Sequence, residues 1–289
     1  MNGFFAFLRY LYLKFLVTLS RFLIKCLTSS PCPKPDLSLQ IPSRDQGRTI
    51  NVHVYKPSVD DAGSSKPLPV LINLYGSGLA IPLHGLDDDF CRYITKATGY
   101  VVLDVNYCLA PEYPFPAALN DIEDTVRYVL DHPDEYQASQ LSVSGFSSGG
   151  HSRACCLHNT PTWNFSVAFS VLPCDKPFAG PKVFREAYIR EMDPRDPRIS
   201  PAFADTYRFP ANMLFVTGEL DASAVEAEEL AERAKDEHSE REVIIRRMEG
   251  CGHAFDKKLT GEMLVSARNE AYELAVKTLK RGEDISMTI

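Results

Sequence analysis

Short apolar runs alternate along the chain with segments in which apolar residues return every three or four positions. Runs rich in Val, Ile and Leu are typical of strands that are buried on both faces. Strands that alternate with helices predict an α/β fold, with a mostly parallel central sheet flanked by helices. The predicted strands are Val70–Leu74, Val101–Val105, Leu141–Ser144, Val167–Val171, Met213–Thr217 and Val243–Met248, and the predicted helices are Asp87–Thr98, Ala117–Asp131, Gly150–His158, Ala224–Glu237 and Gly261–Lys280.

Two proline-rich segments depart from this alternation. Ser29–Asp61 holds one alternating stretch, Thr49–Tyr55, which predicts an edge strand. Pro173–Pro210 is dense in prolines and charges, and its pattern predicts a helix only near Val183–Met192. Ligands bind outside the carboxyl ends of parallel strands, so we expect this excursion to form a small helical cap there. The main domain would then be residues 29–289, with the cap at about 173–210.

The first 28 residues form a separate apolar segment, interrupted by Arg9, Lys14, Arg21 and Lys25. Helical projection places most of these cations on one stripe, which predicts an amphipathic helix with a wide apolar face. The spacing of the cations disfavours a membrane-spanning helix, and the segment lacks the pattern of a secretory signal. Three roles remain open: a lid over an apolar pocket, an anchor lying on a membrane surface, or a helix docked on the core.

Composition narrows the class of protein. The chain has 289 residues, of which 45% are hydrophobic, and its net charge is −7, so it lacks the basic surplus that nucleic-acid binding requires. Its 8 cysteines show no C-x-x-C spacing. We therefore expect reduced thiols, no metal, and an intracellular location, either cytoplasmic or peripherally associated with a membrane.

The sequence Gly-Phe-Ser-Ser-Gly at residues 145–149 lies where a predicted strand meets a predicted helix. This is the setting of a nucleophile elbow, in which glycines make room for a sharp turn that holds Ser147 above the sheet. A serine hydroxyl needs a base that is itself oriented by a carboxylate. His253 and Asp221 each follow a different predicted strand, so we predict them as base and acid, with His151 and Glu219 as their rivals.

A second loop bears on the same chemistry. The stretch Tyr-Gly-Ser-Gly at residues 75–78 follows the strand Val70–Leu74. We predict that the N–H groups of Ser77, Gly78 and Ser148 form an oxyanion hole. The apolar run Leu79–Leu83 and the phenylalanine before the elbow predict a hydrophobic substrate pocket. We expect its lining to include Leu79 and Phe146.

These motifs resemble the α/β-hydrolase fold, and specifically the hormone-sensitive-lipase-like esterases that include arylacetamide deacetylases and similar fungal hydrolases. The resemblance runs from about Pro69 to the C-terminus and implies Ser147 as nucleophile, Asp221 as acid and His253 as base. Three positions depart from the family pattern: Tyr75 replaces a histidine, Ser77 a glycine and Phe146 an aspartate. The segments that carry the resemblance are Tyr75–Gly78, Leu109–Ala118, Gly145–Gly150, Asp196–Pro201 and Gly218–Asp221.

We therefore predict a serine carboxylic-ester hydrolase that acts on hydrophobic acyl esters through an acyl-enzyme and needs no cofactor. One alternative is an acyltransferase, or a lactone-forming or lactone-opening hydrolase, of a natural-product pathway. Another is a non-catalytic ligand receptor on the same fold.

Overall fold

The computed structural model describes residues 3–27, 32–58, 66–150, 165–169, 182–258 and 260–286. Within these residues the chain forms one sheet of eight strands. The strands are β1 Leu37–Pro42, β2 Thr49–Tyr55, β3 Leu68–Leu74, β4 Val101–Asn106, β5 Tyr136–Phe146, β6 Phe165–Phe169, β7 Asn212–Gly218 and β8 Glu242–Met248.

Helices cover both faces of this sheet. The α-helices are α1 Gly3–Leu27, α2 Asp88–Thr98, α3 Ala117–Leu130, α4 Lys182–Ile189, α5 Ala224–Glu237 and α6 Glu262–Ser286, and short 3-10 helices lie at Pro201–Phe203, Thr206–Arg208 and Phe255–Lys257. The predicted helix Gly150–His158 falls almost wholly on residues 151–164, which lie outside the described residues.

The strand order is β1-β2-β4-β3-β5-β6-β7-β8; the pairs β1–β2 and β2–β4 are antiparallel, and all other neighbouring pairs are parallel. The predicted α/β class and its mostly parallel sheet are confirmed. The prediction that Thr49–Tyr55 is the edge strand is wrong, because β1 pairs along its outer side. The pattern missed β1 because Ile41 is the one residue of that strand whose side chain is buried.

Two apolar clusters fill the space between the sheet and its helices. One includes Val17 of α1, Val126 of α3 and Leu230 of α5. The other includes Phe90 of α2 and Tyr272 of α6. Each large apolar side chain that is buried in this way stabilises the fold by about 1.5–3 kcal/mol. The clusters therefore fix the sheet between two helical layers.

The excursion predicted for Pro173–Pro210 is described from residue 182 onward. Its predicted helix is present as α4 and ends near Arg190, which has a left-handed φ of 51°. The ring of Tyr188 packs edge-on against Phe115 at 5.9 Å. A cleft of about 420 Å³ separates α4 from α1. The role of this excursion as a cap stays a prediction.

A buried ion pair joins the β1–β2 hairpin to α3. The guanidinium of Arg48 makes two hydrogen bonds to the Asp121 carboxylate, one of them 2.8 Å long. Asp121 has no exposed surface, and it also accepts the Cys108 N–H at 2.9 Å. Arg48 also bonds to Asp45, whose side chain is about half exposed. Because the carboxylate is fully buried and the Arg48 side chain is only 17% exposed, the charge of Asp121 depends on this arginine for its compensation.

We expect Asp121→Ala to lower the free energy of unfolding by about 3–5 kcal/mol, because it leaves a mostly buried guanidinium without its main partner. The matched control is Asp45→Ala, which removes the exposed partner of the same arginine and should cost less than about 1 kcal/mol. Urea unfolding of both variants measures the difference. Equal losses would show that burial of the pair does not govern its contribution.

Candidate active site

The turn after β5 brings a serine out of the sheet in a strained conformation. Ser147 follows the last residue of β5 with φ 51°, and helical backbone begins at residue 148. A Cβ at position 145 would lie 2.5 Å from the carbonyl carbon of Gly149, and a Cβ at position 149 would lie 2.0 Å from the carbonyl oxygen of Leu74. Glycine is therefore required at both positions, and the crowding holds Ser147 in its left-handed conformation.

The structure brings Ser147, His253 and Asp221 together. Ser147 Oγ lies 2.9 Å from His253 Nε2, and His253 Nδ1 lies 2.8 Å from Asp221 Oδ2. The carboxylate is buried, whereas the imidazole is 37% exposed. An ionised carboxylate can only accept hydrogen bonds, so Nδ1 carries the proton and Nε2 is free to accept one from the serine hydroxyl.

The carboxyl of Asp221 stays ionised despite its burial. Burial by itself raises the pKa of Asp221, but hydrogen bonds from His253 and Ser223 outweigh it and hold the pKa well below the ordinary value. The Ser223 hydroxyl donates to Asp221 Oδ1 at 2.6 Å, and the Ser223 N–H donates to the same oxygen at 3.0 Å. The Oδ2 atom is thereby left to His253.

Glu219, the rival acid, has a different partner. Its carboxylate accepts the Gly250 N–H at 2.8 Å. This bond joins the loop after β7 to the loop after β8, as does the 2.8 Å bond from the Leu220 N–H to the Cys251 carbonyl. Glu219 thus helps to hold the two loops in register. The rival base, His151, lies outside the described residues.

The loop after β3 is held by a chain of hydroxyl groups. The Tyr107 hydroxyl donates to the Tyr75 carbonyl, so it accepts from Ser77 Oγ, which is 2.8 Å away. Ser77 Oγ in turn accepts the Leu79 N–H at 2.9 Å. The ring of Tyr107 stacks on Tyr75 with centroids 4.7 Å apart. Sequence reasoning missed Tyr107, since no local pattern connects it with the loop.

The predicted oxyanion donors differ in their surroundings. The Ser77 N–H donates to Ser148 Oγ at 3.0 Å, so it has a partner within the protein and is not free to bind an oxyanion. Its assignment as an oxyanion donor is corrected accordingly. Gly78 follows it with a left-handed φ of 58°, and Ser148 is fully buried at the start of the helical turn. The N–H groups of Gly78 and Ser148 remain the candidate donors.

The prediction that Phe146 lines the substrate pocket is wrong. Its ring belongs to the core cluster under α2 and α6, with its centroid 5.0 Å from that of Phe90. Lys257 Nζ lies 4.0 Å from the centre of the same ring. As the last residue of β5, Phe146 points to the sheet face that these helices cover. Leu79 is buried in the other cluster, and its contact with substrate stays a prediction.

One group of side chains has the donor types of a metal site. Donor atoms of His53, His84 and Asp104 lie within 4.8 Å of one another. However, the two imidazoles are stacked at 3.9 Å, and His84 Nε2 lies 3.0 Å from the Asp104 carbonyl oxygen. A carbonyl oxygen can only accept a hydrogen bond, so His84 Nε2 carries a proton there and offers no lone pair to an ion. We therefore assign this group no metal.

Comparison with known proteins agrees with this fold. A family model described as alpha/beta hydrolase fold matches residues 71–257. The chain therefore belongs to the α/β-hydrolase family, which confirms the predicted resemblance.

The sequence relatives match part of the chain. It is 34% identical over 119 residues to tuliposide A-converting enzyme b1 of Tulipa gesneriana, covering 37% of this chain and 31% of that enzyme. It is 31% identical over 131 residues to ethyl acetate hydrolase of Pseudomonas putida, covering 43% and 39% respectively. The chain thus matches about a third of the length of the tulip relatives.

Solved structures match nearly the whole chain. An esterase of Pyrobaculum calidifontis aligns with a TM-score of 0.74 and 23% identity, covering 93% of this chain and 91% of that one. A thermostable esterase of Pseudomonas putida aligns with a TM-score of 0.76 and 19% identity, covering 91% and 90%. At these identities the comparison shows the fold.

We expect Gly149→Ala to destabilise the chain by more than about 3 kcal/mol and to abolish the positioning of Ser147, because its Cβ would collide with backbone. The matched control is Gly252→Ala, where a Cβ meets no atom within 4 Å and φ is not left-handed. The control should stay within about 0.5 kcal/mol of the wild type. Thermal unfolding of both variants checks this, and a stable Gly149→Ala protein would contradict the assigned role of the crowded turn.

Proposed function

We propose that the protein is a serine carboxylic-ester hydrolase, with Ser147 as nucleophile, His253 as general base and acid, and Asp221 as the orienting carboxylate. The observation that carries the proposal is the pair of hydrogen bonds from Ser147 to His253 and from His253 to Asp221. A serine hydroxyl is weakly nucleophilic at neutral pH until a neighbouring base accepts its proton. The arrangement supplies that base with its accepting nitrogen directed at the hydroxyl.

The reaction proceeds in two halves through an acyl-enzyme. Ser147 Oγ attacks the ester carbonyl carbon while His253 Nε2 takes the hydroxyl proton, and the same proton then passes to the departing alcohol. In the second half, water attacks the acyl carbon and gives its proton to His253, and Ser147 leaves with that proton. Asp221 stays ionised throughout and stabilises the imidazolium. Each half breaks one acyl–oxygen bond and forms another, so no cofactor is needed.

The N–H groups of Gly78 and Ser148 donate hydrogen bonds to the carbonyl oxygen of the ester and stabilise the negative charge that develops on it. One such donor typically contributes about 10²–10³ in rate. The Tyr107 hydroxyl and the Ser77 side chain act as positioning groups, because they hold the loop that carries Gly78. The hydroxyl chain thus replaces the support that a histidine at position 75 would give.

The relatives support the reaction class. One is an ethyl acetate hydrolase, and the two proteins compared above that share the fold are esterases. The buried apolar residues Leu79–Ile81 follow the oxyanion loop, which favours esters with hydrophobic acyl groups. Acyl transfer to an alcohol and lactone chemistry use the same acyl-enzyme, and the acceptor present in the assay distinguishes them from hydrolysis.

We expect wild-type protein to hydrolyse p-nitrophenyl acetate, butyrate or decanoate and to be labelled by a fluorophosphonate probe. Ser147→Ala should lower kcat by at least about 10⁴ and abolish labelling, because no nucleophile remains. The matched control is Ser38→Ala, which removes an exposed hydroxyl from the edge strand β1 and should leave both readouts unchanged.

The outcomes of this experiment separate the candidate functions. Labelling without hydrolysis, accompanied by ester formation when an alcohol acceptor is added, would favour the acyltransferase. Absence of both labelling and turnover in the wild type would contradict the proposal and favour the receptor.

We expect Tyr107→Phe to lower kcat by about tenfold with KM nearly unchanged, because the oxyanion loop loses its support while the ring stays in place. The buried Tyr75 carbonyl also loses its partner, so the free energy of unfolding should fall by about 1–3 kcal/mol. The matched control is Tyr207→Phe, which deletes the hydroxyl of a largely exposed tyrosine. An equal effect of the two variants on kcat would contradict the positioning role.

A further inference from the structure

Helix α1 buries far fewer of its apolar side chains than an ordinary surface helix does. A surface helix of a globular protein buries its apolar face and exposes its charges. In α1 the buried side chains are limited, among the described residues, to Leu13 and Val17. By length and composition the helix could cross a membrane, since an 18-residue window within it has a mean hydropathy of 1.3. That its cations disfavour such a span stays a prediction.

Three of the four cations of α1, Arg9, Lys14 and Arg21, contact the hydrolase body. The Arg21 guanidinium donates to the carbonyl oxygens of Ala80 and Ala110, both at 2.8 Å, and lies 3.0 Å from Glu112. Lys14 Nζ lies 3.9 Å from the same carboxylate. These contacts attach the helix to the loops that follow β3 and β4. They add to the apolar contacts that Val17 and Ile24 make with the core.

The apolar side chains of α1 face away from the body. They form a continuous outward strip of aromatic and leucine residues, in which Phe15 is 64% and Phe22 is 62% exposed. An apolar patch of this extent is rare on a soluble monomer and marks an interaction surface. The exposed members are Phe4, Phe5, Phe7, Leu8, Leu11, Tyr12, Phe15, Leu19, Phe22, Leu23 and Leu27.

The start of the helix indicates what covers this strip. Residues 3–9 are all exposed, although four of them are the large apolar side chains Phe4, Phe5, Phe7 and Leu8. A second copy or another protein would cover one side of these turns, whereas lipid surrounds a helix on all sides that the protein leaves free. Helix α1 also holds four cations and no carboxylate, in a chain with net charge −7. Three of these cations contact the hydrolase body, and Lys25 is exposed near the end of the helix, where it can meet an anionic headgroup.

We propose that α1 lies in the plane of one lipid leaflet, with its aromatic strip among the acyl chains and its cationic stripe bound to the hydrolase domain. The contacts of Arg21 and Lys14 with Glu112 favour this position over a span, because a spanning helix would have to break them and carry these cations through the hydrocarbon. The membrane surface is then the partner of this face.

Flotation of the full-length chain with vesicles tests this proposal without reference to enzymatic activity. Vesicles of phosphatidylcholine, and of phosphatidylcholine with one quarter phosphatidylserine, serve as the probes. The wild type should float with both kinds, and more completely with the anionic kind. In a variant with Phe15→Glu, Leu19→Glu and Phe22→Glu, the fraction of protein that floats with the vesicles should fall at least about tenfold. The reason is that charged groups replace the centre of the strip.

The matched control carries Tyr207→Glu, Val225→Glu and Met263→Glu, which are the same changes at exposed apolar positions outside α1. It should float like the wild type. Equal flotation of the two triple variants would overturn the proposal. Conversion of a dimer to a monomer by the α1 substitutions, with flotation unaffected, would also overturn it and identify a second copy as the partner.

Protease protection distinguishes the leaflet position from a span. With an epitope tag at the N-terminus and sealed vesicles that carry the bound protein outside, added protease should remove the tag, since both ends of α1 lie on the same side. A protected tag would overturn the in-plane position. Recovery from the native cells of a chain that begins after Leu27 would overturn the proposal as a whole.

Discussion

The close approach of two backbones at the end of β3 and β5 is the constraint on which the site depends. Strands β3 and β5 are parallel neighbours, and Leu74 pairs in register with Gly145. The chain after β5 turns so tightly that Gly149 lies against the Leu74 carbonyl, which leaves no room for a Cβ. This contact holds the nucleophile beside the loop after β3. The same backbone contact therefore fixes the position of the attacking oxygen relative to the oxyanion donors.

The order of the strands brings Asp221 and His253 close to Ser147. The order β5-β6-β7-β8 places the ends of three different strands at one edge, so Ser147, Asp221 and His253 converge although they are far apart in sequence. Glu219 and the Leu220 N–H then tie the loops of Asp221 and His253 to each other. Burial of the Asp221 carboxylate and its saturation with donors give the imidazole one tautomer and one orientation. Backbone contacts between the loops thus position the side chains of the site, and the ionised Asp221 carboxylate then orients the imidazole of His253.

Much of this was predictable from the sequence. Buried parallel strands leave a run of β-branched residues, and the glycines flanking Ser147 reflect a steric requirement that few other residues satisfy. The fold class, the strand positions and the convergence of Ser147, Asp221 and His253 follow from such local patterns. The alternation of residues along β5 did not reveal which face of the sheet Phe146 would occupy, so its placement in the pocket was wrong.

Contacts between residues that are far apart in the sequence could not be predicted from local patterns. The Ser77 N–H meets Ser148, and the Tyr107 hydroxyl meets the Tyr75 carbonyl, across separations in sequence that no periodicity records. The helical projection of α1 separated its cations from its apolar residues but could not tell which stripe would face the body. Partial burial of Arg21 is favourable because its guanidinium bonds to Glu112 and to the carbonyl oxygens of Ala80 and Ala110.

The most direct test of this account is to identify the atom that carries the acyl group during turnover. Rapid mixing with p-nitrophenyl butyrate, followed by acid quench and peptide mass spectrometry, should show a burst of p-nitrophenol equal to the enzyme concentration and a butyryl group on Ser147. An acyl group on Ser148 or another residue, or steady turnover with no acylated peptide, would contradict the account.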